Sequence, residues 1–196
     1  AGLAAGLAAL AVLILTSPYR AERFAVFLNP FAEDQYKFSG WQPAHSLLGL
    51  ASGGLFGVGL GASRQKWGNL AEAHTDFIFA VIGEEIGLLG TTIVLAAFFM
   101  IAWAGIKTAI ATRDPFSRYA VAGITVWIIA QASINIGSVT GVFPVVGLPL
   151  PLVSYGGSAL ISSMVGLAFI LGVARREPEA KSYFDARPKL LVWRGR

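Results

Sequence analysis

The chain has 196 residues, of which 55% are hydrophobic and only 13% charged, with a net charge of +4. Soluble domains carry about 25% charged residues, so this composition cannot coat a soluble core and points to an integral membrane protein. No cysteine is present and only two histidines, His45 and His74, which excludes disulfides, thiolate metal sites and a histidine-rich metal centre.

Residues 1–16 form the first apolar stretch, ended by Ser17, Pro18, Tyr19 and Arg20. The run is already apolar at Ala1, with no Met, basic n-region or cleavage site, so it reads as a cut through a transmembrane helix and the chain as a fragment. A long segment follows at 17–85. Its aromatic residues Phe24, Phe27, Phe31, Tyr36, Phe38 and Trp41 predict an ordered loop, because disordered segments are poor in aromatics. Gly53, Gly54, Gly57, Gly59 and Gly61 are too dense for an ordinary helix. They suit close backbone approach to a ligand, but they do not form a nucleotide-binding loop. Arg64 and Lys66 either pair with a diphosphate or solvate the loop.

The second span is expected at 86–106. The apolar pattern begins at Phe77, too early for one straight crossing, and carries Glu84 and Glu85 at its outer boundary. These carboxylates either build a helix-end polar network or shape a polar cavity. Thr75 or Asp76 is placed to cap the helix start; for Asp76 the alternative is catalysis. A short connection with Lys107, Arg113 and Arg118 leads to a third span at 119–139. Its Gln131, Asn135 and Ser138 share one face and read as glue between helices, with substrate binding as the alternative. Residues 140–152 hold Pro144, Pro149 and Pro151 and no charge. Ser154, Tyr155, Gly156 and Gly157 then break the apolar run, either as a structured cap beside a cavity or as a plain tight turn. The fourth span, 153–173, carries a small-residue stripe of Ser158, Ser162 and Gly166 that admits a close helix. Each complete span has about 20 residues, enough for a hydrocarbon core of about 30 Å. The basic connection and the basic tail predict a cytoplasmic location for both, which puts the long segment and the proline loop outside.

Read in order, these stretches resemble the FtsW/RodA family of peptidoglycan-polymerising membrane proteins. The resemblance rests on Gly53 through Gly61, on Glu72-Ala73-His74-Thr75-Asp76-Phe77, on Gly83-Glu84-Glu85-Ile86-Gly87, on Pro144 through Pro151, and on Ser154-Tyr155-Gly156-Gly157-Ser158. It implies an all-α polytopic helical bundle of which this chain is the last four of ten spans. Residues 1–176 would be the C-terminal part of the membrane domain, with 17–85 its large external loop, and 177–196 a cytoplasmic basic tail. It further implies an inverting transfer of a glycan from undecaprenyl diphosphate to the 4-hydroxyl of lipid II, on the outer face of the cell membrane, with Asp76 as the essential carboxylate. Glu72, His74, Lys66, Gln42 and Ser46 are substrate-binding candidates, as are Glu84, Ser154, Tyr155, Gly156 and Gly157. No resident metal site is implied; a divalent cation is a candidate for stabilising the leaving diphosphate. The partners implied are lipid II, the lipid-linked glycan, a class B penicillin-binding transpeptidase and other divisome proteins, with no nucleic acid.

Glu72-Ala73-His74, Gly83-Glu84-Glu85, Gln131 and Asn135 resemble the division branch, FtsW, and the run Gly147-Leu148-Pro149-Leu150-Pro151-Leu152 the elongation branch, RodA. The combination is similar to actinobacterial FtsW. Two positions depart from the pattern: Ala71 stands where proline usually precedes the glutamate, and Val146 where some division members have lysine. The competing functions are a lipid II flippase, a non-catalytic divisome scaffold and a RodA-type elongation enzyme.

Overall fold

The structure is a computed structural model that describes residues 17–68, 70–71 and 73–177. The first span expected at 1–16, the candidate Glu72 and the tail beyond Glu177 lie outside the described residues. The described secondary structure is all helical: α1 (Pro18–Leu28), α2 (Glu33–Tyr36), α3 (Trp41–Gly53), α4 (Ile78–Ala111), α5 (Pro115–Val139) and α6 (Gly157–Ala174). Of these, α4, α5 and α6 are long and apolar enough to cross a membrane.

The segment expected as a loop at 17–85 is thus largely helical at its start. Pro18 pre-sets the first turn of α1. A chain of rings, with Tyr36 and Trp41 centroids 5.5 Å apart and Trp41 and His45 4.1 Å apart, joins α2 to α3.

The span expected at 86–106 lies inside the longer α4, which is broken at Gly87 (φ 72, ψ −158). In a continuous helix the Leu88 and Leu89 N–H groups would donate to the carbonyls of Glu84 and Glu85. Instead those carbonyls accept from Val58 N (2.9 Å) and Gly59 N (3.1 Å), while Leu88 N and Leu89 N donate to Gly54 O (2.9 Å) and Leu55 O (3.3 Å). The glycine-rich segment is therefore spliced into the helix and satisfies the four groups that the break exposes. A Cβ on Gly57 would strike the Glu85 carbonyl, and one on Gly87 the backbone of Leu55 and Gly57. At Gly53 and Gly57 the close approach is to this helix, whereas Gly54 and Gly61 have open space at the Cβ position. Exchanging four hydrogen bonds in place lets an irregular backbone sit against an apolar helix without orphaned groups.

Glu84 is 2% exposed and its carboxylate accepts from Ser63 Oγ (2.5 Å), Arg64 N (3.0 Å) and Gln65 N (3.4 Å). Gln65 in turn meets His45 Nδ1 at 2.8 Å. Glu85 faces Lys66, with Nζ 3.7 Å from Oε1. The two acidic residues thus anchor the 63–66 turn, which favours the polar-network reading of the pair.

The connection expected at 107–118 shrinks to 112–114, because α4 runs on to Ala111 and α5 starts at Pro115. Asp114 caps α5 by accepting from Ser117 N (2.8 Å), with Pro115 at the first helical position. The last helix begins at Gly157 rather than 153, since Leu152 (φ 63) and the turn after it are non-helical.

A buried core of Phe77, Phe79, Val81, Phe98, Ile128 and Leu150, among others, joins α4, α5 and the proline loop. A second cluster of Ala109, Val121, Ile170 and Val173 brings the end of α6 to the α4–α5 turn. In the small-residue stripe only Gly166 is buried, against Ile124 of α5; Ser158 and Ser162 are exposed, and the close approach is confined to one residue.

Candidate functional site

Three separate stretches meet at the α4 start: residues 73–77, the proline loop 144–151 and the turn 154–156. The segment around Asp76 is held through its backbone. Tyr155 N donates to His74 O (2.9 Å), Ser154 Oγ to Thr75 O (2.5 Å) and Asn135 Nδ2 to Asp76 O (2.8 Å). Three consecutive carbonyls are thus fixed by two other elements. The N-cap of α4 is Phe77, with no side-chain cap bond, so neither Thr75 nor Asp76 caps this helix. Phe77 is 1% exposed and seats the segment in the core. The Asp76 side chain is half-buried, and its Oδ2 lies 3.3 Å from where a Cβ on Gly147 would stand. Gly147 has φ 77, a conformation that glycine adopts without strain. The proline loop therefore borders the Asp76 carboxylate at a residue without a side chain.

The loop is held from beneath by the polar face of α5. Ser138 Oγ donates to Pro144 O (3.0 Å), Asn135 Nδ2 to Leu148 O (2.6 Å) and Gln131 Nε2 to Pro149 O (3.0 Å). The stripe expected to glue helices together instead binds loop carbonyls, which three prolines and φ-positive turns leave without regular partners. On the other side Arg23 Nη1 of α1 donates to Val145 O (2.6 Å). Ser154 Oγ also accepts from Leu150 N (2.7 Å), so one buried hydroxyl joins the loop to Thr75.

The sequence candidates separate into four groups. Asp76, His74, Ser154, Tyr155 and Gly156 come together; the His74 and Tyr155 side chains are exposed there, Gly156 is half-buried and Gly157 opens α6 beside them. Ser46 and Glu84 are buried in structural bonds, Ser46 donating to Pro43 O (2.8 Å) and Val139 O (3.2 Å). Lys66 is engaged by Glu85 and lies 5.5 Å from the Trp67 ring, so its charge already has a partner. Gln42 lines a cavity of about 610 Å³ that also touches Arg23, Phe27, Lys37, Trp41 and Val145, and Asp76 is not among its lining residues. Among the described residues no group of three His, Asp or Glu is arranged to hold a metal ion. Sequence reading missed the tether from Arg23, whose partner is 122 residues away, and the two hydrogen bonds from Asn135. The shared face of Gln131, Asn135 and Ser138 marks Asn135, but no local pattern signals the partners of either residue.

A family model described as "Cell cycle protein", FtsW_RodA_SpoVE, matches residues 1–179. The chain is 44% identical over 170 residues to the stage V sporulation protein E of Bacillus subtilis, covering 87% of this chain and 46% of that protein. It is 43% identical over 178 residues to a protein of Mycobacterium tuberculosis named probable peptidoglycan glycosyltransferase FtsW, covering 91% and 34%. A like-named protein of Legionella pneumophila is 45% identical over 168 residues, covering 84% and 42%. The chain therefore spans less than half the length of these relatives. Among solved structures it is similar to a chain from a study of how a peptidoglycan synthase complex coordinates polymerization and crosslinking, with a TM-score of 0.64, 30% identity, and coverage of 91% of this chain and 50% of that one.

Proposed function

The chain belongs to the FtsW_RodA_SpoVE family of cell cycle proteins, and from that premise we propose that the whole protein is a peptidoglycan glycosyltransferase polymerising lipid II for septal wall synthesis, with Asp76 as general base. One observation carries the assignment of the base. Asp76 presents a half-buried carboxylate at the border of the proline loop, on a segment whose backbone is fixed at three successive carbonyls and which caps no helix.

The chemistry asks for such a group. A sugar 4-hydroxyl is a weak nucleophile until a base takes its proton as the new O–C1 bond forms. The C1–oxygen bond to the diphosphate breaks on the opposite face, and the leaving charge stays with the diphosphate. Cationic side chains or a divalent cation would stabilise that charge. The names of the M. tuberculosis and L. pneumophila relatives support the division branch. The similarity to a chain of a peptidoglycan synthase complex supports a class B transpeptidase partner. The Asp76 end of the bundle is assigned to the outer face, where the lipid-linked sugars are, and the 112–114 turn and the tail to the cytoplasm.

The test is polymerisation of purified lipid II by the full-length protein. Asp76→Asn keeps size and polarity but removes the base, and it is expected to lower the rate by at least ~10²-fold while lipid II binding persists. A near-normal rate would return Asp76 to a structural role.

A further inference from the structure

We infer that Asn135 is the positioning residue of this site, holding the Asp76 carboxylate against the proline loop. The inference rests on the reading of Asp76 as general base. Asn135 is 3% exposed, about one turn from the C-terminal end of α5. Its Nδ2 uses both hydrogens, one on Asp76 O (2.8 Å) and one on Leu148 O (2.6 Å). The amide orientation follows from the network, because the flipped amide would aim an oxygen at two carbonyls.

The two acceptors belong to the two stretches that meet at the carboxylate. Leu148 adjoins Gly147, where an added Cβ would stand 3.3 Å from Asp76 Oδ2. One amide therefore sets both sides of that contact. The neighbouring polar residues of the α5 face do less: Gln131 reaches only Pro149 O in the loop, and Ser138 only Pro144 O and its own helix. Residues 74 and 75 are held independently by Tyr155 N and Ser154 Oγ. Losing Asn135 therefore removes the bond to the Asp76 carbonyl and leaves the upstream tethers in place. A base must lie within hydrogen-bond reach of the proton it takes, and a displacement of about 1 Å can cost about 10²-fold in rate.

The experiment compares Asn135→Leu, Gln131→Leu and Asp76→Asn in the full-length protein, with thermal unfolding, kcat and the KM for lipid II measured for each. Asn135→Leu is expected to lower kcat by at least about 10-fold with KM changed by less than about 2-fold, and Gln131→Leu to lower kcat by less than about 3-fold. Should the leucine variant not accumulate folded, Asn135→Ala removes the same amide without a branched side chain and is read by the same criteria. A normal kcat for the Asn135 variant, a loss carried by KM, or an equal loss in Gln131→Leu overturns the inference. If Asp76→Asn is impaired while the Asn135 variant is not, the positioning role alone falls. If Asp76→Asn is itself near normal, the general-base reading falls with it.

Discussion

Ser154 is 6% exposed, and its hydroxyl donates to Thr75 O while accepting from Leu150 N. Removing it leaves a part-buried carbonyl and a buried N–H without this partner, each a group whose desolvation is expensive. Ser154→Ala is expected to cost about 1–3 kcal/mol and to slow polymerisation with it, because the same bond holds the residue before Asp76; thermal unfolding in detergent and the lipid II assay check the two effects. Glu84 is the contrasting case. It is a buried carboxylate with three donors and no position beside Asp76 in the hydrogen-bonded site. Glu84→Ala strips partners from Ser63 Oγ and from two backbone N–H groups, so a loss of at least about 2 kcal/mol is expected. The rate measured on whatever protein remains folded should stay near normal, and a folded but inactive Glu84→Ala protein would show that the residue does more than anchor the 63–66 turn.

At the scale of elements, the splice between the glycine-rich segment and α4 makes a sharp prediction. Gly87 has positive φ, and a Cβ there meets the backbone of Leu55 and Gly57, which cannot rotate away. Gly172, inside α6, has open space around its Cβ position. Gly87→Ala is expected to destabilise the protein by more than about 3 kcal/mol, combining left-handed strain with overpacking. Gly172→Ala should be neutral or stabilise by up to about 1 kcal/mol through helix propensity. Equal thermal midpoints for the two variants would contradict the splice. The α4–α5 turn adds a pH dependence. Side-chain hydrogen bonding to Ser117 holds the Asp114 carboxyl below its ordinary value. A depressed folded value means that the cap stabilises above the unfolded carboxylate range and is lost as pH falls through the folded value. The thermal midpoint gap between the native protein and Asp114→Ala should therefore be full at neutral pH and close on acidification below that range.

For the whole molecule, the cluster of Ala109, Val121, Ile170 and Val173 gathers the α4–α5 turn and the end of α6 at one end of the bundle. The proline loop and residues 73–77 share the other, joined by Asn135 and Ser154. The chain has no cysteine, so single cysteines introduced into a cysteine-free full-length protein report sidedness cleanly. Arg113→Cys and Arg176→Cys are expected to label only from the cytoplasmic side and Val142→Cys only from the outside; labelling of positions 142 and 176 from the same side would invert this topology.

Much of this architecture is written locally. The low charge and the three long apolar runs require membrane helices wherever they are placed, because about 20 apolar residues satisfy both hydrogen bonding and burial in lipid. Pro115 and Asp114 mark a helix start by their own chemistry, and the motif around Asp76 singles out the carboxylate that the proposal puts to the test. What the sequence could not reveal is how its irregular parts satisfy their backbones. Gly54 and Leu55 accept from α4, Asn135 serves two loops, and Arg23 reaches Val145. Each of these bonds joins residues far apart in the chain, so no periodicity or spacing encodes it. Only the tertiary structure decides them, because a carbonyl buried away from water takes whichever donor the packing brings within reach.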